Sequence, residues 1–398
     1  MNAGRQIIVL GGGVSGISTA LVLQSLGFNV SLVADRPQTS GEPVGSEIPT
    51  GYAMASAYPH HLRVADLPRV SSDSQAVFAY FAKTAGSGVS IYKIFEVFES
   101  EPPSGQNPPL ANCRMNFEYF EGRPEKLRKS VDPPIRPGAE RLFGYSFDSY
   151  FADMPLYMPY LYAMFVGGGG AVFKREINAE SLSSMPREVP LINCLGAGAL
   201  ALFEDEAPAL MMRGRQALVP DMPVAFHQGM PVAYNYTPTA EVFSRGDGDP
   251  EYVHFFPRRD GYLLGQTREP GILGENGLWC GEAVTGEDLL LGGVPVPGPV
   301  VSLNAELLRA WKGLEFRHDR LKGRLGYRYY RDPENTGVRL EAQDLDGRLV
   351  IHNYGHGGSG ITMSWGCSLA VIRVLLRRIE EVPKREKNGL GSLLESLL

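Results

Sequence analysis

Three glycines near the start of the chain have the spacing of a dinucleotide-binding turn. Gly11, Gly13 and Gly16 follow the apolar run Gln6 to Leu10 and open a helical run. The first glycine permits a tight turn, the second lets the backbone approach a pyrophosphate, and the third lets helix and strand pack closely. The helix start offers N–H groups and a partial positive charge to phosphates. Asp35, which ends the next apolar run, is placed to accept hydrogen bonds from an adenosine ribose.

Other residues of the same turn and of the loop after Asp35 complete this predicted site. Val14 and Ser15 lie within the glycine motif, and Arg36 and Ser46 are expected contacts of the pyrophosphate or ribose. The carboxylate of Asp35 argues against a 2′-phosphate, but it does not choose between NAD and FAD. The structural alternative is a tight strand-to-helix turn that binds nothing.

A second glycine-rich turn lies near the other end of the chain. The apolar run Leu349 to Asn353 leads into Gly355-His356-Gly357-Gly358-Ser359-Gly360, and a helix is predicted from Ile361 to about Glu381. This is again a strand, a glycine turn and a helix. If both turns belong to one nucleotide-binding domain, the middle of the chain is inserted into that domain.

The C-terminal segment resembles the signature of the D-amino-acid oxidase family. The resemblance runs from Val350 to Thr362 and continues with Trp365-Gly366-Cys367. It also includes Val33-Ala34-Asp35-Arg36, Ile192-Asn193-Cys194, Gly326-Tyr327-Arg328 and Val338-Arg339-Leu340-Glu341. Roughly half of the chain matches well, while residues 60–145 and 270–310 match faintly.

The resemblance implies FAD as the cofactor, and the residues of the second turn suit it. Glycines at a helix start leave backbone N–H groups uncovered, and these stabilise the negative charge that a reduced flavin carries at N1 and the C2 carbonyl. We expect Ser359 and Thr362 to add hydrogen bonds to the pyrimidine edge, and His356 to be structural. The predicted contacts of this turn are Gly357, Gly358, Ser359, Gly360, Ile361 and Thr362. A glycine cluster that only caps a helix is the alternative.

The resemblance also implies how a substrate is held. In this family the arginine that matches Arg328 grips the substrate carboxylate in a two-pronged fork, a geometry that guanidinium suits better than ammonium. Arg331 and Arg339 are nearby alternatives, and each of the three could instead be a structural ion-pair partner. Gly358 is expected to place its carbonyl oxygen near the substrate amine.

The chain departs from the family where a pair of tyrosines usually closes the site over the carboxylate. His254 stands where one tyrosine is expected, and Tyr252 is close to the position of the other. His254 could also be a plain strand residue. The run from Pro257 to Gly265 is similar to glycine-oxidase-like members, which leaves the substrate open between D-amino acids, glycine and related amines.

The expected reaction is hydride transfer from the amino acid to flavin N5, which gives an imino acid and then a keto acid, with O2 as the expected oxidant. Two alternatives remain open. One is an FAD-binding protein of the same fold that acts on another substrate or on none. The other is an NAD-dependent dehydrogenase, against which the C-terminal signature argues.

Composition is typical of a soluble globular protein; the small-molecule substrate is what the resemblance implies. The 398 residues are 43% hydrophobic and carry a net charge of −6, so no basic surplus favours nucleic acid or an anionic membrane. The four cysteines are far apart and predict neither a metal site nor disulfides, which suits the cytoplasm. The uncharged stretch from Met154 to Phe173 has the length of a membrane span, but its prolines and four consecutive glycines favour a buried helix and a loop. Whether the protein forms a homodimer stays open.

The predicted fold class is α/β, with a Rossmann-like FAD-binding domain and an inserted, mainly antiparallel substrate-binding domain. We assign residues 1–58, 148–212 and 335–398 to the first domain, and residues 59–147 and 213–334 to the second. A hairpin is predicted over residues 254–265 with its turn at Asp260-Gly261. Residues 101–140 and 286–300, which are rich in proline, are predicted to be loops.

Overall fold

The computed structural model describes residues 5–39, 49–58, 63–244, 249–265, 267–274, 279–282, 287–383 and 389–398. The chain divides into two compact units. The first comprises Met1–Val89, Met154–Met211 and Arg328–Leu398, and the second comprises Ser90–Asp153 and Met212–Tyr327.

The helices and strands of the described residues are numbered in chain order. The helices are α1 Val14–Ser25, α2 Leu67–Ala82, α3 Pro124–Ser130, α4 Met154–Gly167, α5 Ala179–Ser183, α6 Ala199–Leu202, α7 Gly298–Lys312, α8 Ser364–Leu376 and α9 Leu390–Leu397. The strands are β1 Gln6–Leu10, β2 Asn29–Ala34, β3 Val89–Phe98, β4 Met115–Gly122, β5 Leu142–Ala152, β6 Ala171–Lys174, β7 Leu191–Asn193, β8 Ala209–Pro220, β9 Phe226–His227, β10 Met230–Thr237, β11 Val253–Arg258, β12 Gly261–Gly265, β13 Gly271–Leu273, β14 Trp279–Gly281, β15 Asp288–Leu291, β16 Val294–Pro297, β17 Lys322–Arg331, β18 Ala342–Leu345 and β19 Arg348–His352.

The first unit contains a largely parallel sheet with the strand order β18-β19-β7-β1-β2-β6. The pairings from β19 to β6 are parallel, and β18 pairs with β19 in the antiparallel direction. The apolar residues of β1, from Ile7 to Leu10, are all buried, as expected for a parallel strand that is covered on both faces. Strands β19, β7 and β1, which are far apart in the chain, are therefore neighbours in one sheet.

Helices α2 and α8 of the first unit pack together through small residues. A Cβ atom at Gly366 of α8 would overlap the carbonyl of Val70 in α2, and the Gly366 N–H donates to Ser74 Oγ at 2.9 Å. Asp73 of α2 forms an ion pair of 2.6 Å with Arg373 of α8. This packing places α2 in the first unit, whereas the sequence prediction began the second domain at residue 59.

The second unit contains the sheet order β17-β8-β12-β11-β10-β3-β5-β4, in which β3, β8 and β17 each have one end assigned to the first unit. The pairings β8–β12, β12–β11, β11–β10 and β4–β5 are antiparallel, and β10–β3 is parallel. Its core lies between one face of this sheet and α7, with Phe95, Tyr234, Phe255 and Leu307 fully or almost fully buried. The unit is thus mainly antiparallel.

Two segments predicted as loops contain regular structure. Residues 288–297 form the β15–β16 hairpin, because Gly292 and Gly293 take positive φ angles at its turn, and α7 begins at Gly298. Residues 115–130 contain β4 and α3. The stretch from Met154 is the helix α4 and not a span, since within the described ranges no helix is long and apolar enough to cross a membrane.

Candidate active site

The turn between β1 and α1 requires glycine at two positions because other backbone segments approach closely. Gly11 has a φ angle of +109°, and a Cβ atom there would overlap the carbonyl of Cys194, just after β7. A Cβ atom at Gly16 would overlap the carbonyl of Gly11. The turn is therefore held tightly against both α1 and β7, as the glycine motif predicts.

Two residues far from the motif in sequence complete this turn. Tyr162 of α4 donates its hydroxyl to the Gly12 carbonyl at 2.7 Å. The Val14 N–H donates to Thr50 Oγ1 at 3.3 Å, and Thr50 Oγ1 would lie 3.1 Å from a Cβ atom at Gly13. Sequence reasoning missed both residues, since Tyr162 lies in an aromatic run that resembles core and Thr50 carries no local signal.

The structure describes all but one of the other cofactor contacts that are predicted near the N-terminal glycine turn. Asp35 directly follows β2 and its side chain is 55% exposed, so its carboxylate is accessible to a ribose. Arg36 forms an ion pair with Asp35 at 3.0 Å. The Ser15 carbonyl accepts a bond of 2.6 Å from Thr19 Oγ1 within α1. Ser46 lies outside the described residues.

The second glycine turn is a short 3-10 helix, Gly357–Ser359, followed by turn residues. Helix α8 therefore begins at Ser364 and ends at Leu376, which corrects the predicted start at Ile361 and the predicted end near Glu381. The Thr362 hydroxyl donates to the Ser56 carbonyl at 3.2 Å. Ser359 and Ile361 are buried, and Gly360 follows the 3-10 turn with ordinary right-handed backbone angles.

A chain of buried hydrogen bonds links the two glycine turns. His356 Nε2 donates to Asn353 Oδ1 at 3.0 Å, and Asn353 Nδ2 donates to Thr19 Oγ1 of α1, also at 3.0 Å. Thr19 Oγ1 also lies 2.9 Å from Ser368 Oγ of α8. Burial lowers the pKa of His356 to about 4, so that its imidazole is neutral at pH 7. These contacts give His356 a structural position between the two turns.

Arg328 lies on β17 beside the second glycine turn. A Cβ atom at Gly358 would lie 3.5 Å from Arg328 Cδ and 2.8 Å from the hydroxyl of Tyr330. Arg328 is half-buried, and its guanidinium forms no hydrogen bond or ion pair with any residue that the structure describes. The structure therefore brings together two predicted residues, Arg328 and Gly358, and adds Tyr330, which sequence reasoning missed although the i, i+2 spacing from Arg328 is visible in the sequence.

The two alternative arginines are engaged in ion pairs. Arg331 donates to Asp205 through Nε at 2.7 Å and Nη2 at 3.0 Å. Arg339 donates to Glu341 at 2.6 Å and to the Tyr354 hydroxyl at 3.1 Å. Of the three arginines, Arg328 is thus the one whose fork is open to a ligand.

Tyr252 and His254 lie in the second unit. Tyr252 immediately precedes β11 and His254 belongs to it, with their ring centroids 5.7 Å apart, while Val253 and Phe255 are buried in the core of the unit. His254 is almost fully buried, and Tyr252 stacks under the guanidinium of Arg268 at 4.4 Å. The strand thus presents an aromatic and polar face away from its own core.

Comparison with known proteins identifies the family. The family model for FAD-dependent oxidoreductases matches residues 6–373. The chain belongs to this family. It is 28% identical over 365 residues to a D-amino-acid oxidase of Rubrobacter xylanophilus, a match that covers 91% of this chain and 93% of that protein. It is 25% identical to a human D-aspartate oxidase, over 93% of this chain and 94% of that protein.

Solved structures show the same fold at low sequence identity. A glycine oxidase from Bacillus cereus has a TM-score of 0.58 and 15% identity, and covers 94% of this chain and 98% of its own. An L-α-glycerophosphate oxidase from Mycoplasma pneumoniae with FAD bound has a TM-score of 0.60 and 14% identity, over 98% of both chains. The predicted fold class and the resemblance to the D-amino-acid oxidase family are confirmed.

The cofactor of this FAD-dependent oxidoreductase is FAD, and the residues of the chain fit it. Side chains at Gly12 and Gly13 would be crowded by neighbouring groups, so glycine at these positions suits a turn whose backbone binds a pyrophosphate. The Val14 N–H of this turn is engaged by Thr50. The exposed carboxylate of Asp35 suits a ribose. The second glycine turn, at Gly357 and Gly358, precedes α8 and likewise presents backbone that carries no side chain of its own.

Proposed function

We propose that the chain oxidises an amino acid, namely a D-amino acid, glycine or a related amine, to the imino acid, which water hydrolyses to the keto acid. The observation that carries this proposal is the open guanidinium of Arg328 beside Gly358 in a FAD-dependent oxidoreductase. A half-buried arginine without a protein carboxylate is well suited to a substrate carboxylate, because a fork of two N–H bonds fixes both charge and orientation.

Each proposed role follows from the chemistry of one group. Arg328 holds the substrate carboxylate, and the Gly358 carbonyl accepts a hydrogen bond from the substrate amine. When bound, FAD supplies flavin N5 as the acceptor of the hydride that leaves the substrate Cα. The amine lone pair forms the C=N bond as the hydride departs, and the amine proton goes to water. No side-chain base is needed, so the contribution of the chain is orientation and the exclusion of competing poses.

We assign the remaining residues in the same way. Gly11, Gly13, Val14, Ser15 and Gly16 bind the FAD pyrophosphate. Asp35, Arg36 and Ser46 bind the ribose or pyrophosphate, and the turn from Gly357 to Thr362 binds the flavin. The first unit then binds FAD. Tyr252 and His254 are the further substrate contacts that the family resemblance implies. We propose O2 as the oxidant of the reduced enzyme.

The test is anaerobic mixing of the purified, yellow protein with D- and L-amino acids, glycine and sarcosine. Bleaching by one class supports the proposal and identifies the substrate. Glycerol 3-phosphate belongs in the panel, because bleaching by it alone would replace amine oxidation with alcohol oxidation. Mixing the reduced enzyme with O2 or with a dye then distinguishes an oxidase from a dehydrogenase.

A further inference from the structure

A tyrosine hydroxyl lies next to the open arginine on β17. Residues two apart in a strand point to the same face, so Arg328 and Tyr330 share one side of β17. The contacts agree, since a Cβ atom at Gly358 would meet Arg328 Cδ at 3.5 Å and Tyr330 Oη at 2.8 Å. The Tyr330 hydroxyl and the Arg328 side chain therefore both lie next to one glycine.

The position of the Tyr330 ring is fixed by the glycine turn. A Cβ atom at Gly357 would overlap the ring, and Gly357 has a φ angle of +55°. The backbone of Tyr330 forms an antiparallel bridge with His356. The backbone bridge and the lack of a side chain at Gly357 thus allow the Tyr330 ring to pack over the turn. Neither contact uses the Tyr330 hydroxyl.

The Tyr330 hydroxyl, like the Arg328 guanidinium, forms no hydrogen bond with a residue in the described part of the chain. Tyr330 is half-buried, so its hydroxyl remains accessible to a ligand. On the other face of the same strand, by contrast, the Arg331 guanidinium is already engaged in an ion pair with Asp205. An unengaged donor and an unengaged cation at one glycine suit a carboxylate, which accepts several strong bonds at once.

We propose that Tyr330 donates its hydroxyl to the substrate carboxylate that Arg328 grips. This inference rests on the proposed function. It also explains how the chain holds a carboxylate although His254 stands where the family usually has a tyrosine, because the phenol comes from β17 instead of β11. Tyr330 is then a residue that touches the substrate and sets its affinity.

The test is Tyr330→Phe, which removes the hydroxyl and keeps the ring over Gly357. Two quantities are measured: the Kd of propionate, a carboxylate that cannot be oxidised, from its perturbation of the flavin absorbance, and kcat/KM for the best amino acid. A lost hydrogen bond to a charged group predicts a Kd about 10-fold or more higher and kcat/KM about 10- to 100-fold lower. Flavin content and Tm should stay unchanged.

Two matched variants make the same chemical change elsewhere. Tyr329→Phe changes the adjacent residue, whose side chain stacks on Tyr354 on the other face of β17, and should leave the Kd of propionate unchanged. Tyr252→Phe tests the hydroxyl of β11. If Tyr330→Phe binds propionate like the wild type, or if Tyr329→Phe weakens binding equally, the inference is wrong.

The outcomes separate the two proposals. If the wild type oxidises amino acids and Tyr330→Phe is unaffected, only the role of Tyr330 fails. If no amino acid bleaches the flavin but propionate binds through Tyr330, amine oxidation fails and the carboxylate contact stands. If neither an amino acid nor propionate changes the flavin absorbance of the wild type, both are overturned.

Discussion

Asp205 and Arg331 form a two-bond ion pair on the face of β17 opposite Arg328, with N–O distances of 2.7 and 3.0 Å. Tyr354 donates to the same carboxylate at 2.6 Å. Burial alone would raise the pKa of Asp205, but the bonds from Arg331 and Tyr354 lower it to about 2. The pair is therefore charged at neutral pH and anchors the end of the strand that carries Arg328 and Tyr330.

Replacing Asp205 by Asn should destabilise the protein by about 3 kcal/mol, because it leaves the guanidinium of Arg331 buried without its counter-charge. The measurement is urea unfolding of the holoenzyme. Asp344→Asn is the matched control, since Asp344 pairs with Arg378 at the surface, where the loss should stay below about 1 kcal/mol. Equal losses in the two variants would show that the Asp205 pair is no more than a surface contact.

Arg328→Lys should lower kcat/KM for amino acids by about 100-fold or more, because the ammonium keeps the charge but loses the planar fork. Steady-state kinetics and propionate titration measure this loss, and FAD content shows whether the cofactor site is intact. Arg317→Lys is a suitable control, because Arg317 is exposed and pairs only locally with Asp319. A variant with unchanged kinetics would place the carboxylate grip elsewhere.

Gly358→Ala should weaken carboxylate binding, because the new methyl group would lie 2.8 Å from Tyr330 Oη and would push the phenol away from Arg328. Adding Tyr330→Phe removes the crowded atom, so the double variant should lose less binding than the sum of the single variants. Propionate titration of the three variants measures the coupling. Gly167→Ala is the control, since a Cβ atom there meets nothing within 4 Å. Strict additivity would contradict the proposed crowding.

The sequence predicts the parts of the fold that local pattern determines. The strands at Gln6–Leu10 and Arg348–His352 and the hairpin near Gly261 follow from buried apolar runs and glycine turns. The hairpin turn is Arg259-Asp260, one residue earlier than predicted, because Arg258 pairs with Gly261. The helix α9 was not predicted, since its charged surroundings resemble a frayed tail and its buried Leu394 is explained only by tertiary packing.

The candidate site likewise contains residues that sequence motifs identify and residues that only tertiary contacts reveal. Motifs identify the glycines of both turns and Arg328, because backbone geometry and the family signature restrict residue type at these positions. Tyr162 and Thr50 were missed because they reach the first turn through tertiary contacts 150 and 36 residues away in sequence. The family signature favours Arg328 over Arg331 and Arg339, and the structure adds that the other two arginines are engaged in ion pairs.

Two buried histidines predict how stability depends on pH. Burial, aided by the charge of Arg339, lowers the pKa of His352 to about 3, and burial lowers that of His356 to about 4. His352 Nδ1 accepts from Asn193 Nδ2 at 3.0 Å, and its Nε2 donates to Gln343 at 2.9 Å, so the neutral ring is fully hydrogen-bonded. Protonation of either ring is therefore costly in the folded protein.

The unfolded chain takes up these protons below the ordinary histidine pKa of about 6.5, while the folded chain does not. The free energy of unfolding should therefore be nearly constant above about pH 7 and should fall as the pH decreases from about 6.5 towards 4. Each histidine contributes up to about 3 kcal/mol to this fall. Urea unfolding between about pH 8 and pH 4 measures it. His356→Gln removes one titrating group but keeps a donor for Asn353, so it should reduce the slope even if it lowers stability at pH 7. An unchanged slope would mean that His356 takes up its proton at the same pH in the folded and the unfolded protein, so that the link between the two glycine turns does not depend on a neutral imidazole.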